Sequence, residues 1–228
     1  MMRRGSMGRM IVCYLLPVVV FCWGCSSRAM APVSAEQQLP IQRVVMAPLQ
    51  NMERIYGADA SFTCPLSGNT YFIGPVAEGG EAFMTEKLFD HLRRRAQIEA
   101  LPPEQAQGAQ AGLLHASKGE LSELRLLLES GRALKADAVV FGRVYRFAER
   151  QGTVFAADRP ASVAFDVLMV STDDGRLLWE GHFNETQRPL TDNLLNIDSF
   201  FKQKGRWLTV RELAEVGLDD VMQRFPFK

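Results

Sequence analysis

The chain has 228 residues, 47% of them hydrophobic, with 26 basic and 26 acidic side chains. That apolar share is enough for one ordinary buried core, and the even charge balance excludes the basic excess on which nucleic-acid binding rests. No cofactor-binding pattern and no internal repeat stand out, so function has to be read from local features in chain order.

Residues 1–24 carry Arg3, Arg4 and Arg9, then the apolar stretch from Met10 to Trp23, then Gly24. A positive start, a short apolar run and a small residue before the cut describe a secretory signal. A membrane-spanning helix needs about 20 apolar residues, and this run is shorter and holds Pro17. The next residue, Cys25, resembles the acceptor of the bacterial lipobox, although Cys22 and Trp23 depart from its usual Leu-containing approach. The resemblance implies a triacylated N-terminus at Cys25, and several acyl chains hold a protein firmly to a bilayer. Ser26 follows, not the Asp that retains such proteins in the inner membrane, so the resemblance places the anchor on the periplasmic face of the outer membrane. Residues 25–40 lack periodicity and contain Pro32 and Pro40, which reads as a flexible tether spanning roughly 20 Å. Loss of the three signal arginines leaves 23 basic against 26 acidic residues, a mature charge of −3. Of four cysteines only Cys64 is then unassigned, so the mature chain has no intramolecular disulfide. Its surroundings, Thr63-Cys-Pro-Leu-Ser-Gly68, look like half of a zinc knuckle without the second half, and a structural thiol is expected.

Residues 41–228 are expected to form one α+β domain. Arg43 to Leu49 suits a buried strand, followed by a long glycine-containing loop to Gly80. Glu81 to Arg95 has Met84, Leu88 and Leu92 at i, i+4, i+8 and ends in Arg93-Arg94-Arg95, a charge order that complements the helix dipole. Gln97 to Leu101 reads as a short strand stopped by Pro102-Pro103, and the Ala/Gln/Gly stretch to His115 is open between helix and loop. Glu120 to Leu134 predicts a helix on its leucine stripe. Lys135 to Ala148, Ala161 to Val170 and Leu177 to Phe183 predict three strands, the last two joined as a hairpin through Thr172-Asp-Asp-Gly175. Val210 to Phe225 predicts a helix facing inward with Leu213, Val216, Val221 and Phe225. The order β-α-β-α-β-β-β-α implies a mixed sheet with helices packed on it.

The segments Ala136-Asp-Ala-Val-Val-Phe-Gly-Arg-Val144 and Leu168-Met-Val-Ser-Thr-Asp-Asp-Gly-Arg-Leu-Leu-Trp-Glu-Gly181 resemble a family of periplasmic α/β domains. It includes the curli secretion-channel lipoprotein, the N-terminal domain of the Tol-system propeller protein and lipoprotein activators of penicillin-binding proteins. Asp174 stands where that pattern usually has Thr before the glycine. The resemblance implies this fold, a lipid-anchored periplasmic domain and a partner in the cell envelope, either a protein or a peptidoglycan-associated component. The long amphipathic hairpins of a pore-forming barrel are not seen in the sequence.

Candidate chemistry is sparse. Glu180 and His182 share one strand face at i, i+2, which offers two arms of a metal site or simply a solvated polar face. No His-Glu-x-x-His, Gly-x-Ser-x-Gly or phosphate-loop pattern occurs. No catalytic residue, metal or cofactor is therefore assigned, and a non-enzymatic binding role is expected. The alternatives are a subunit of an oligomeric export assembly and, further off, a metal-dependent hydrolase. Between the last strand and last helix, Phe200, Phe201 and Trp207 interleave with Lys202, Lys204 and Arg206, residue types favoured at interfaces. That strip is either a partner-binding patch or a cover for the sheet edge. The loop from Ile55 to Gly80, with Tyr56, Phe62, Tyr71 and Phe72, is a second candidate surface.

Overall fold

The structure is a computed structural model that describes residues 41–117, 121–152, 157–187 and 208–227. In chain order the first half holds β1 (Arg43–Met46), β2 (Gln50–Asn51), α1 (Met52–Tyr56), β3 (Ser61–Thr63), β4 (Thr70–Phe72), α2 (Gly80–Arg93), β5 (Glu99–Leu101) and α3 (Pro103–Ala116). The second half holds α4 (Glu123–Ala133), β6 (Ala138–Ala148), β7 (Gln151–Gly152), β8 (Ala157–Arg159), β9 (Ser162–Ser171), β10 (Leu177–Thr186) and α5 (Val210–Gln223).

Five strands lie in the order β10-β9-β6-β1-β5, and β2 extends the β1 line beside β6. β1 is parallel to both β5 and β6, whereas β6, β9 and β10 run antiparallel. Parallel neighbours need crossover connections. α2 supplies the one from β1 to β5, and α3 with α4 supply the one from β5 to β6.

The two crossovers cover opposite faces. Met84, Leu88 and Leu92 of α2 and Leu213, Leu218 and Val221 of α5 pack on Val140, Phe165 and Met169. Leu127 of α4 and Ala106 of α3 pack on Val139, Phe141 and Leu168 from the other side. Each fully buried Leu or Met side chain contributes roughly 1.5–3 kcal/mol relative to exposure, so these two layers are the main source of stability. A sheet buried on both faces also explains why every residue of β9 is buried.

Local chemistry fixes the strand ends. The Asp137 carboxylate accepts the backbone N–H groups of Gln42 at 2.9 Å and Arg43 at 2.8 Å, which aligns β1 with β6. Gly175, at φ 73°, makes the turn between β9 and β10. At Gly142 a side chain would place its Cβ 2.3 Å from the carbonyl oxygen of Asp166, so only glycine lets β6 approach β9 there. A bulge between Val144 and Arg146 inserts one residue into β6. It shifts the in–out alternation, so that Val144 and Phe147, three residues apart, face the same core.

The mixed sheet with helices packed on it and the expected β9–β10 hairpin are both present. β1, α2, β5, α4, β6, β9, β10 and α5 follow the order β-α-β-α-β-β-β-α. Besides β2, four smaller features add to it. The open stretch to His115 is α3, with Pro103 in its first turn, where a missing N–H costs nothing. The glycine-containing loop holds the β3–β4 hairpin, α1 precedes that hairpin, and β7–β8 form a second small ribbon. The inward face of α5 also needs correction. Val216 is 43% exposed, because it lies about 200° round the helix from buried Ala214, and Ala214, Leu218 and Met222 take the core positions.

Candidate functional site

The lipidation candidate Cys25 and the strip of Phe200, Phe201, Lys202, Lys204, Arg206 and Trp207 lie outside the described residues, as do the signal and tether. The second candidate surface, from Ile55 to Gly80, is described, and its geometry is specific.

In the β3–β4 hairpin Phe62 pairs with Tyr71, and both turn inward onto the sheet. Tyr71 stacks on Tyr145 of β6 with ring centroids 4.0 Å apart and 8° between planes, and Phe62 packs at 6.0 Å from the same ring. Beneath them lies a buried ion pair. The Asp166 carboxylate accepts the Tyr145 hydroxyl at 2.7 Å and the Arg143 backbone N–H at 3.0 Å. The Arg143 guanidinium stands 3.7 Å from the same carboxylate, with side chains 4% and 2% exposed. Arg143 also donates toward the Cys64 sulfur at 3.6 Å and toward Glu123 at 3.4 Å. Its guanidinium lies over Phe62 at 5.3 Å and Phe141 at 5.4 Å, within cation–π range.

Burial pushes the Asp166 carboxyl up to about 6, while the Arg143 charge and the hydrogen bonds from Tyr145 and the Arg143 N–H oppose the rise. Burial works against the Arg143 charge too, but Asp166 and Glu123 more than offset it and hold the guanidinium above its usual range. Tyr145 is pushed up by burial and by the Asp166 charge, so its hydroxyl stays a donor. The Tyr71 hydroxyl is buried, with the Asn69 side chain as its hydrogen-bonding neighbour.

The Arg143 and Asp166 side chains at the centre of this cluster are almost sealed from solvent. Its physical effect is to latch the hairpin to the sheet. Other contacts hold the neighbouring turn. Asn51 caps α1 by accepting the Arg54 N–H at 3.1 Å, Glu53 accepts the Val76 N–H at 2.6 Å, and Arg54 pairs with Glu81 at 2.7 Å. On the hairpin's far side, the Asn69 amide donates to Glu180 at 2.5 Å.

Outward the hairpin presents Ser61, Thr63, Thr70 and Phe72. Five large apolar side chains are left exposed among the described residues, and three of them, Ile55 (54%), Tyr56 (55%) and Phe72 (56%), belong to α1 and β4. Tyr56 is braced by Phe62 at 5.4 Å. Of the four aromatic residues singled out in this loop, Tyr56 and Phe72 are therefore surface residues, while Phe62 and Tyr71 hold the hairpin down.

The remaining candidates resolve as follows. Glu180 and His182 do meet, at 3.6 Å, but no group of three or more His, Cys, Asp or Glu suited to a metal ion occurs among the described residues. Cys64 is a free buried thiol. Among the described residues no helix is long and apolar enough to cross a membrane. Arg143 and Asp166 are absent from the sequence-derived candidates. Part of their signal was available: Asp166 is the one charge in an otherwise mostly apolar strand, where a buried charge needs a partner, whereas β6 offers both Arg143 and Arg146.

No protein-family model matches this chain, and no curated protein matches it. The solved structures similar to it include PelC from a dodecamer of Paraburkholderia phytofirmans, with TM-score 0.42, 12% identity, and coverage of 80% of this chain and 84% of that one. The C-terminal domain of LpoB from Salmonella enterica gives TM-score 0.37 and 14% identity over 65% of this chain and 84% of that one. Lipoprotein GNA1162 from Neisseria meningitidis gives TM-score 0.36 and 12% identity over 72% of this chain and 98% of that one.

Proposed function

We propose that this chain is a bacterial lipoprotein, anchored at Cys25 to the periplasmic face of the outer membrane, whose domain from residue 41 binds another cell-envelope component without catalysing a reaction. The observation that carries the binding role is the set of exposed apolar side chains, Ile55 and Tyr56 on α1 and Phe72 on the hairpin that packs over a buried ion pair. Apolar side chains displayed on a rigid support lose little conformational freedom when a partner covers them. The anchor rests on the signal segment and Cys25, and the envelope setting on the sequence likeness to the curli-channel, Tol-propeller and penicillin-binding-protein-activator domains. The strip of Phe200, Phe201 and Trp207 with Lys202, Lys204 and Arg206 is proposed as a second docking element of the same domain.

The test is cross-linking in intact cells followed by identification of envelope proteins joined to the chain. The double variant Tyr56→Ser/Phe72→Ser should lose the specific cross-link, and Phe201→Ala/Trp207→Ala should weaken it. Truncating two interface aromatics typically costs about 2 kcal/mol or more, a 30-fold loss of affinity. An unchanged cross-link in the first variant removes the hairpin from the binding role. Mass spectrometry of the mature N-terminus settles the anchor separately, since an unmodified Cys25 would refute it.

A further inference from the structure

The segment that leaves β1, residues 47–50, borders a cavity of about 230 Å³ together with α3, α4 and β6. The cavity therefore lies at the carboxyl end of β1. β1 and β5 are parallel neighbours that lead into helices on opposite faces of the sheet, α2 on one and α3 on the other. In open sheets with parallel strands, ligands settle in the crevice at such strand ends, where the connections diverge.

The polar lining consists of Gln50, Gln107, Gln110 and Glu123. Gln107 and Gln110 share one side of α3 at i, i+3, and both lie more than two helical turns before residues 118–120, which are outside the described residues. Among the described residues none of the three glutamine side chains makes a hydrogen bond within the protein. Each carboxamide offers two N–H donors and an acceptor oxygen. The Glu123 carboxylate already faces the Arg143 guanidinium at 3.4 Å. The rest of the lining is apolar, with Leu49, Leu127 and Phe141 buried and Pro48 and Leu126 half-buried.

This lining selects by exclusion. None of the described lining residues is Lys, Arg or His, so an anionic ligand would meet only the like charge of Glu123. A single carboxylate that has its counter-charge is too few for a metal ion. A wholly apolar ligand would strip water from the carboxamides without replacing their hydrogen bonds. A small neutral molecule rich in hydroxyls, with an apolar face, satisfies both kinds of wall. The volume falls below the range of about 300–1,000 Å³ usual for drug-sized ligands and suits one ring.

We infer that the cavity at the carboxyl end of β1 binds one neutral sugar ring, with Gln50, Gln107 and Gln110 pairing to its hydroxyls and the apolar lining meeting its C–H face. The site shares no residue with the exposed set Ile55, Tyr56 and Phe72, and it depends neither on that set nor on the anchor at Cys25. A free monosaccharide and a ring within a glycan present the same chemistry.

The test uses the full chain in a detergent without a sugar head group, with glucose, galactose, mannose and N-acetylglucosamine as probes and backbone amide shifts read by NMR. At about 50 mM of each, well above the millimolar Kd that a few hydrogen bonds supply, at least one probe should give saturable shifts at residues 47–50, 107–110 and 123–127. Cellobiose and N,N′-diacetylchitobiose separate the two sources, since they bind as tightly as their monosaccharides only if a ring within a glycan is accepted. Gln107→Leu/Gln110→Leu should weaken binding about ten-fold while Tm stays within about 2 °C, because neither side chain is bonded within the protein. No saturable shift with any of these monosaccharides, or equal binding by the double variant, would overturn the site. Tighter binding of glucose 6-phosphate than of glucose would overturn the neutral ligand. Trialanine shifting the same amides more strongly than every sugar would assign the cavity to a peptide and overturn the sugar.

Discussion

Replacing Arg143 by Met tests the latch beneath the hairpin. The substitution keeps an unbranched apolar stem but removes the charge 3.7 Å from the Asp166 carboxylate. At that distance, with an effective dielectric constant near 20, the direct attraction is about 4 kcal/mol. Part of this is returned, because methionine has no charge to desolvate. The Tyr145 hydroxyl and the residue 143 backbone N–H still reach Asp166, which softens the loss further. A net destabilisation of about 3 kcal/mol at pH 8 follows, at the lower end of the range for orphaning one member of a buried pair. The effect has a pH signature. In the parent the Asp166 carboxyl is raised from 3.8 to about 6 by burial, so its contribution to stability is fully present below pH 3.8 and is lost as the pH rises through about 6. Without Arg143 the carboxyl rises further, so the variant's deficit should be largest at pH 8 and shrink at pH 5, where Asp166 is mostly protonated and needs no counter-charge. Urea unfolding of parent and variant at both pH values measures this. A deficit below about 1 kcal/mol at pH 8, or one of equal size at both pH values, would refute the latch as an electrostatic device.

Two glycine substitutions probe the packing from opposite directions. Gly142→Ala forces a methyl group to 2.3 Å from the Asp166 carbonyl oxygen, a backbone atom that cannot swing aside, and should cost at least about 2 kcal/mol and lower Tm by several degrees. An unchanged Tm would show that β6 and β9 separate freely at this point. Gly112→Ala, inside α3 with nothing within 4 Å of the new Cβ, should instead stabilise the protein by about 0.5–1 kcal/mol in thermal unfolding. A loss there would mean that α3 packs more tightly than its surroundings indicate.

Much of the fold is legible locally. The alternation in Ala161 to Val170 and Leu177 to Phe183, with Gly175 between, specifies a hairpin because turn geometry and pleat act over neighbouring residues. The stripe of Met84, Leu88 and Leu92 specifies a packed helix for the same reason. Short segments were harder to read. α3 has few large apolar residues to mark a face, and strands of three residues such as β3 and β4 give too little pattern to separate from loop. The β6 bulge and the true inward face of α5 were hidden because each depends on which neighbour the segment meets.

The sequence alone determined the order of the principal elements, the candidate anchor at Cys25 and the aromatic content of the loop from Ile55 to Gly80. Tertiary structure decided which of those aromatics face solvent, and it did so through residues far apart in the chain. Arg143 meets Asp166 across two antiparallel strands, Tyr71 stacks on Tyr145, and Asn69 reaches Glu180. Local propensity carries no information about such meetings. A charge buried between two strands is tolerated only where its counter-charge and hydrogen bonds converge, and that convergence exists only once the sheet is assembled.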